Sequence, residues 1–210
     1  MPAVLSSRMR VTCVVALAAG ASSFNFTTCP SAHELQTPSV TANFSNSLFA
    51  GTYYEIAAHD YTQFPTCPDP SCVRSIKSDA GDQILDAWTL SCFTAPYPQR
   101  LVFNKTATPG FFLGTWSILP GTIFPDTVVD MGPVVVINAM EQYAWVLEFQ
   151  CVAVNNEVIF TGINFYHSAY NLDNKTYDAF LQVARDRGLG VYMDHGFGTF
   201  RVPQTNCSWS

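Results

Sequence analysis

Apolar residues along this chain gather in short runs broken by turn chemistry, and the period inside the runs changes only once. Stretches rich in Val, Ile, Tyr, Phe, Trp or Thr stand at 52–60, 73–79, 83–93, 100–107, 111–119, 133–138, 143–154 and 157–167, separated by AGD, APYP, TPG, LPG and VNN. Such runs, bounded by Gly, Pro, Asn and Asp, predict β-strands. VNNE at 154–157 predicts a tight hairpin, because Asn accepts the positive φ that short hairpin turns require. The period becomes helical in DNKTYDAFLQVARDRG (173–188), where Tyr177, Phe180, Leu181 and Ala184 fall on one face. Asp173 is placed to cap that helix, and Gly188 to end it after Arg185 and Arg187. Eight strands at short spacing imply an all-β antiparallel sandwich or barrel, not a parallel sheet. An eight-stranded meander followed by one helix fits an up-and-down barrel with the C-terminal helix packed outside, wide enough for one small ligand.

Composition narrows this. At 210 residues the chain suggests one domain. Its 48% hydrophobic and 12% charged residues exclude a disordered chain, and 14% aromatics predict either aromatic sheet faces or a ring-lined cavity. Arg8 and Arg10, an apolar run from Val11 to Ala19, and Ala19–Gly20–Ala21 have the layout of a secretory signal peptide over 1–21. The run is far shorter than the roughly 20 residues a membrane span needs. An arm follows at 22–47, then the barrel unit at 48–210. Removing 1–21 takes away two arginines and no acid, so the net charge falls from −6 to −8. With no basic stripe, nucleic acid is excluded as a partner.

Of seven cysteines, Cys13 lies in the leader; Cys29, Cys67, Cys72, Cys92, Cys151 and Cys207 remain. An even number in an exported chain predicts three disulfides, with 15 connectivities open. The pair in CPDPSC has no second pair or nearby His to complete a metal site, so no metal and no cofactor is expected. Sequons at Asn25, Asn43, Asn104 and Asn174 suit a secreted glycoprotein; a fifth, at Asn206, precedes a cysteine.

Several stretches resemble the lipocalin family, and within it the apolipoprotein D-like branch. FAGTYYEIA is similar to the family's Gly-x-Trp-Tyr-Glu-Ile motif at the first strand. CPSAHELQTPSVTANFSNSLFAGTYYEI resembles the branch's Cys-Pro arm. MEQYAWVLEFQCV, NLDNKTYDAFLQVARDRGL and VPQTNC resemble its strand cysteine, helix and terminal cysteine. The family's Trp is Tyr53 here, its second-motif Asp falls at Ala139, and the Arg before the helix is missing. The resemblance implies an eight-stranded barrel and the pairs Cys29–Cys151 and Cys72–Cys207, leaving Cys67 with Cys92. It also implies a secreted carrier of a small hydrophobic ligand such as a fatty acid, sterol, retinoid or carotenoid.

Aromatic residues suited to an apolar pocket are spread over the strands. The candidate ligand-binding residues are Tyr53, Trp88, Phe103, Trp116, Glu148 and Phe160. Tyr53 is expected to plug the closed end. If Cys151 meets the arm outside the barrel, then Tyr143, Trp145, Leu147, Phe149 and Cys151 face outward beneath the helix, and Glu148 points inward. A carboxylate there needs a partner. The proline-rich loop around CPDPSC is either a lid over the open end or a stapled surface loop.

Two other classes compete. A lipocalin-fold enzyme of the violaxanthin de-epoxidase kind would use an inward carboxylate such as Glu148 as an acid. The prostaglandin synthase kind needs a free thiol, and six cysteines can all pair. His33, His59, His167 and His195 are scattered, and neither H-E-x-x-H nor G-x-S-x-G occurs, so no catalytic residue is assigned. A filled barrel acting as an interaction module, through receptor or lipoprotein contact, is the third class.

Overall fold

The computed structural model describes residues 28–64, 67–92, 95–116 and 123–207, with backbone alone at Ala95 and Trp116. The leader, the start of the arm and the Asn25 sequon lie outside these residues.

The strands are β1 (Gly51–Asp60), β2 (Pro70–Asp79), β3 (Gln83–Cys92), β4 (Ala95–Lys105), β5 (Phe111–Trp116), β6 (Ile123–Met131), β7 (Val134–Ile137), β8 (Met140–Tyr143), β9 (Trp145–Val154), β10 (Glu157–His167) and β11 (Phe200–Arg201). β1 to β6 pair in sequence order, β6 pairs with β9, β9 with β10, and β10 returns to β1. All of these pairings are antiparallel, so eight strands close a barrel with no free edge. The β9–β10 turn has Asn155 and Asn156 at φ of 52° and 62°, as its sequence requires.

Two strand assignments differ from the sequence pattern. Residues 133–138 do not supply a barrel strand: β7 pairs only with β8, as a separate hairpin. The barrel position belongs to β6, whose Pro125 cannot donate to a ladder and whose inward Asp126 breaks the apolar alternation. β4 begins earlier than expected, since Pro96 and Pro98 lie extended opposite Ser91 and Thr89 instead of turning.

The arm forms three short helices, α1 (Ala32–Leu35), α2 (Pro38–Asn43) and α3 (Asn46–Phe49), at the closed end of the barrel. Thr37 caps α2 by accepting from the Val40 amide, with Pro38 in the first turn where no N–H is missed. Phe49 stacks on Phe112 at 5.4 Å between ring centres. Beside it Tyr53 is fully buried and donates its hydroxyl to the Leu48 carbonyl at 3.3 Å. The β7–β8 hairpin docks here through Gln142, whose amide donates to Thr52 O and accepts from Thr52 N. A Cβ on Gly51 would stand 2.7 Å from Gln142 Oε1, which is why glycine opens β1.

The helix α4 (Asn174–Asp186) is capped by Asp173, as expected, and a second helix, α5 (Gly190–Met193), follows. Phe180 of α4 packs on Trp145 and Phe165 at 4.8 and 5.4 Å, and Tyr192 of α5 packs on Phe149 at 5.0 Å. The outward face of β9 therefore lies under the helices.

After α5 the chain returns along the barrel. β1 pairs with β2 only over Gly51–Tyr54, and beyond that point β11 lies against Ala57 and Ala58. The side-chain amide of Gln204 then bridges the two parted strands, donating to Glu55 O at 2.6 Å and Val73 O at 3.0 Å. The disulfides are Cys29–Cys151, Cys67–Cys92 and Cys72–Cys207, the pairs the resemblance implies.

Candidate functional site

The inward positions of the barrel are apolar at the closed end and charged in the middle. Lys77 of β2 is completely buried, its Nζ 3.1 Å from Asp86 Oδ2 of β3 and 3.1 Å from Glu148 Oε1 of β9. Three rings surround the same ammonium: Phe49, Phe103 and Tyr166 have centres 4.8, 5.2 and 5.0 Å away. Ser75 donates to Asp86 Oδ2 at 2.8 Å. Glu148 thus points inward and has a partner, the arrangement an inward carboxylate requires.

Three more buried carboxyls stand around this centre. Glu55 of β1 accepts from Gln63 Nε2 at 2.8 Å, and its Oε1 has no hydrogen bond. Asp60 accepts from the Thr62 amide and hydroxyl, both at 2.6 Å, and so shapes the turn after β1. Asp126 of β6 has no hydrogen bond to either oxygen, although Gln150 and Lys77 lie near enough to favour its charged form. Burial, reinforced by neighbouring carboxylates, holds the Glu55 and Asp126 carboxyls well above the ordinary carboxylate range. Burial also raises Asp60, against hydrogen bonds from Thr62, and Glu148, against the attraction of Lys77. Burial alone would lower Lys77; Asp86, Glu148 and Asp126 more than offset it and hold the ammonium charged.

Above this cluster, towards the open end, lies a cavity of about 30 Å³. Trp88, Leu101, Phe103 and Tyr166 wall it on one side; Asp86, Glu148, Gln150 and Asn164 supply polar lining; Asp60, Thr62 and Gln63 cover it. Of the six expected ligand-binding residues, Trp88, Phe103 and Glu148 line this space. Tyr53 and Phe160 are buried but are not part of its lining, and the Trp116 side chain lies outside the described residues. Lys77, Asp86, Glu55, Asp126, Gln63 and Asn164 were missed. The signal for Asp86 was its position two residues from Ile84 and two from Trp88, on the inward side of the alternation. A second, larger groove of about 380 Å³ lies outside the barrel between Cys29–His33 and β5, β6 and β9, and none of its lining atoms is a buried polar group without a partner.

Among the described residues no cysteine is free, no three His, Cys, Asp or Glu side chains gather as a metal site, and no helix is long and apolar enough to cross a membrane. The chemistry present is that of buried acids, hydrogen-bond acceptors and aromatic faces.

A closed eight-stranded antiparallel barrel carrying a C-terminal helix on its outer wall is the lipocalin fold. Lobster apocrustacyanin A1 shares it, with a TM-score of 0.60 and 13% identity over 87% of this chain and 92% of that one. Apocrustacyanin C2 matches with a TM-score of 0.61 and 12% identity over the same shares. The siderocalin Ex-FABP matches with a TM-score of 0.51 and 14% identity, over 77% of this chain and 96% of that one. No protein-family model and no curated protein sequence matches the chain.

Proposed function

We propose that this protein is a secreted lipocalin that carries one small, largely apolar ligand in the open-end half of its barrel. The observation behind this reading is the cavity under Gln63, where aromatic walls meet buried polar atoms that have no partner inside the protein. Leaving such an atom unpaired costs about 1–3 kcal/mol, which a barrel serving only as a filled scaffold has no reason to bear. Three disulfides, the leader pattern and exposed sequons at Asn43 and Asn174 support export and glycosylation, and the motif order supports the apolipoprotein D-like branch. The siderocalin is described as working through dual ligand specificities, which supports ligand binding on this fold. Of the candidate ligands a fatty acid suits the site least, because its carboxylate would meet Asp86 and Glu148. Receptor or lipoprotein contact would fall on exposed apolar residues such as Val134, Val136 and Met140 of the hairpin.

The test titrates the secreted, oxidised protein with fatty acids, sterols, retinoids and xanthophylls, following tryptophan fluorescence and recovering each ligand by chromatography. Saturable one-to-one quenching with the ligand unchanged supports the carrier. A ligand altered in proportion to time and protein would replace it with acid catalysis by the buried carboxyls. No saturation by any of them would leave the filled-barrel module.

A further inference from the structure

The buried polar atoms that lack a partner around the cavity share one property: all are acceptors. They are Gln63 Oε1, Asp86 Oδ1 and Asn164 Oδ1, which belong to residues that line it. Gln63 and Asn164 are 2% and 4% exposed, so bulk solvent does not reach them, and neither is an acid. Among the described residues five carboxyls and one lysine are buried, and two of the carboxyls pair with that lysine. The cavity wall is therefore short of donors.

Lys77 shows what this environment holds. Its ammonium sits between two carboxylates and against three aromatic faces, the combination that binds organic cations. One such ammonium leaves the acceptors named above unused. A bare metal ion is a poorer match, because no three acidic, His or Cys side chains converge on one point among the described residues. The cavity, about 30 Å³, has room for a group the size of a water molecule or an ammonium, since about 10–15 Å³ suffices for one water. A larger body must displace the Gln63 side chain, which reaches into the barrel through its bond to Glu55.

We propose that the ligand is a small organic amine bound as its cation, with its ammonium donating to Asp86 and Asn164 and its apolar body against Trp88, Phe103 and Tyr166. This deepens the carrier reading and rests on it. The amine takes the place of missing donors at the cavity wall, and displacement of Gln63 admits the body.

Three probes of one shape test it on the intact oxidised protein by calorimetry: 2-phenylethylamine, 2-phenylethanol and 3-phenylpropionate. The amine is expected to bind at one site, about tenfold or more tighter than the alcohol, as a charge-assisted hydrogen bond requires, with the carboxylate weakest. Asn164→Leu keeps the lysine's ion pairs and should lower amine affinity about tenfold, a larger loss than for the alcohol, whose neutral hydrogen bond is weaker; Asp86→Asn should do the same if it folds. Equal affinity for amine and alcohol overturns the amine proposal and leaves the carrier. Binding of sterols or retinoids with none of the amine does the same. Displacement of the amine by calcium or zinc at equal concentration would make the site a metal site and overturn the proposal. If neither these probes nor any apolar ligand binds, the carrier reading falls as well.

Discussion

Gln63, in the turn after β1, donates its side-chain amide to Glu55 Oε2 at 2.8 Å, so the cover of the open end is tied to a carboxyl inside the barrel. The bond runs over eight residues and holds the turn down across the cavity. Gln63→Ala leaves Glu55 without a donor and should cost about 1–3 kcal/mol in urea unfolding. It should also speed ligand association, read by stopped-flow fluorescence. Unchanged stability and an unchanged association rate would mean that the turn is not held by this bond.

Lys77 pairs with two of the acids buried inside the barrel, Asp86 and Glu148. Lys77→Met should destabilise the protein by about 3–5 kcal/mol, because removing one member of a buried pair strands the other. Adding Glu148→Gln should recover part of the loss, although each substitution alone is damaging. Denaturant midpoints of the two single variants and the double variant test this. Additive losses would show that the two side chains do not interact.

Glu55, Asp60, Asp126 and Glu148 all have carboxyls raised above the ordinary values of 3.8 for Asp and 4.5 for Glu. The folded state therefore holds protons that the unfolded chain releases, and this contribution to stability is complete below those ordinary values. It is lost as pH rises through the raised folded values. His59 and His167 act in the opposite sense: burial lowers both, against hydrogen bonds to Gly198 O and Ala169, so their contribution is present above 6.5 and lost as pH falls. Asp126→Asn removes one group of the first kind. The variant should show a shallower fall in its urea midpoint as pH is raised from about 5 to about 8. A slope equal to that of the parent protein would show that Asp126 is ionised throughout.

The Cys72–Cys207 bridge closes a separation of 135 residues, and Cys67–Cys92 one of 25. Loop-closure entropy assigns them about 5 and about 3.5 kcal/mol. Replacing Cys72 and Cys207 by serine should therefore lower the unfolding midpoint more than replacing Cys67 and Cys92. The first pair should also raise amide exchange along β11, whose chain continues into the tail that bridge anchors. Equal effects would mean that hydrogen bonds from Gln204 and Val202 hold the tail without the bridge.

The barrel and its helix were legible because most strands keep β-branched and aromatic residues between clear turns, and Tyr177 to Ala184 keeps a helical face. β6 was not, since Pro125 reads as a breaker and Asp126 as surface. The candidate site was legible only where it is aromatic. Trp88 and Phe103 stand out by residue type, and Glu148 by the parity of its strand. Lys77 and Asp126 look in sequence like solvent-facing residues, Asp86 is marked only by the parity of its strand, and pairing across β2, β3, β6 and β9 turns the three towards one another. Gln63 carries no sequence signal at all, because its role comes from how the chain folds over the open end.

The gap between β1 and β2, spanned by Gln204, also has a temporal side. Gln204 follows Glu55, one of the two carbonyl partners it bridges, by 149 residues. At ordinary synthesis rates of about 5–20 residues per second, that backbone waits roughly 7–30 seconds for its partner. During this interval two strands that belong beside each other stand apart with their amides and carbonyls open. A nascent chain of this protein is thus exposed to edge-to-edge pairing until its tail has been made.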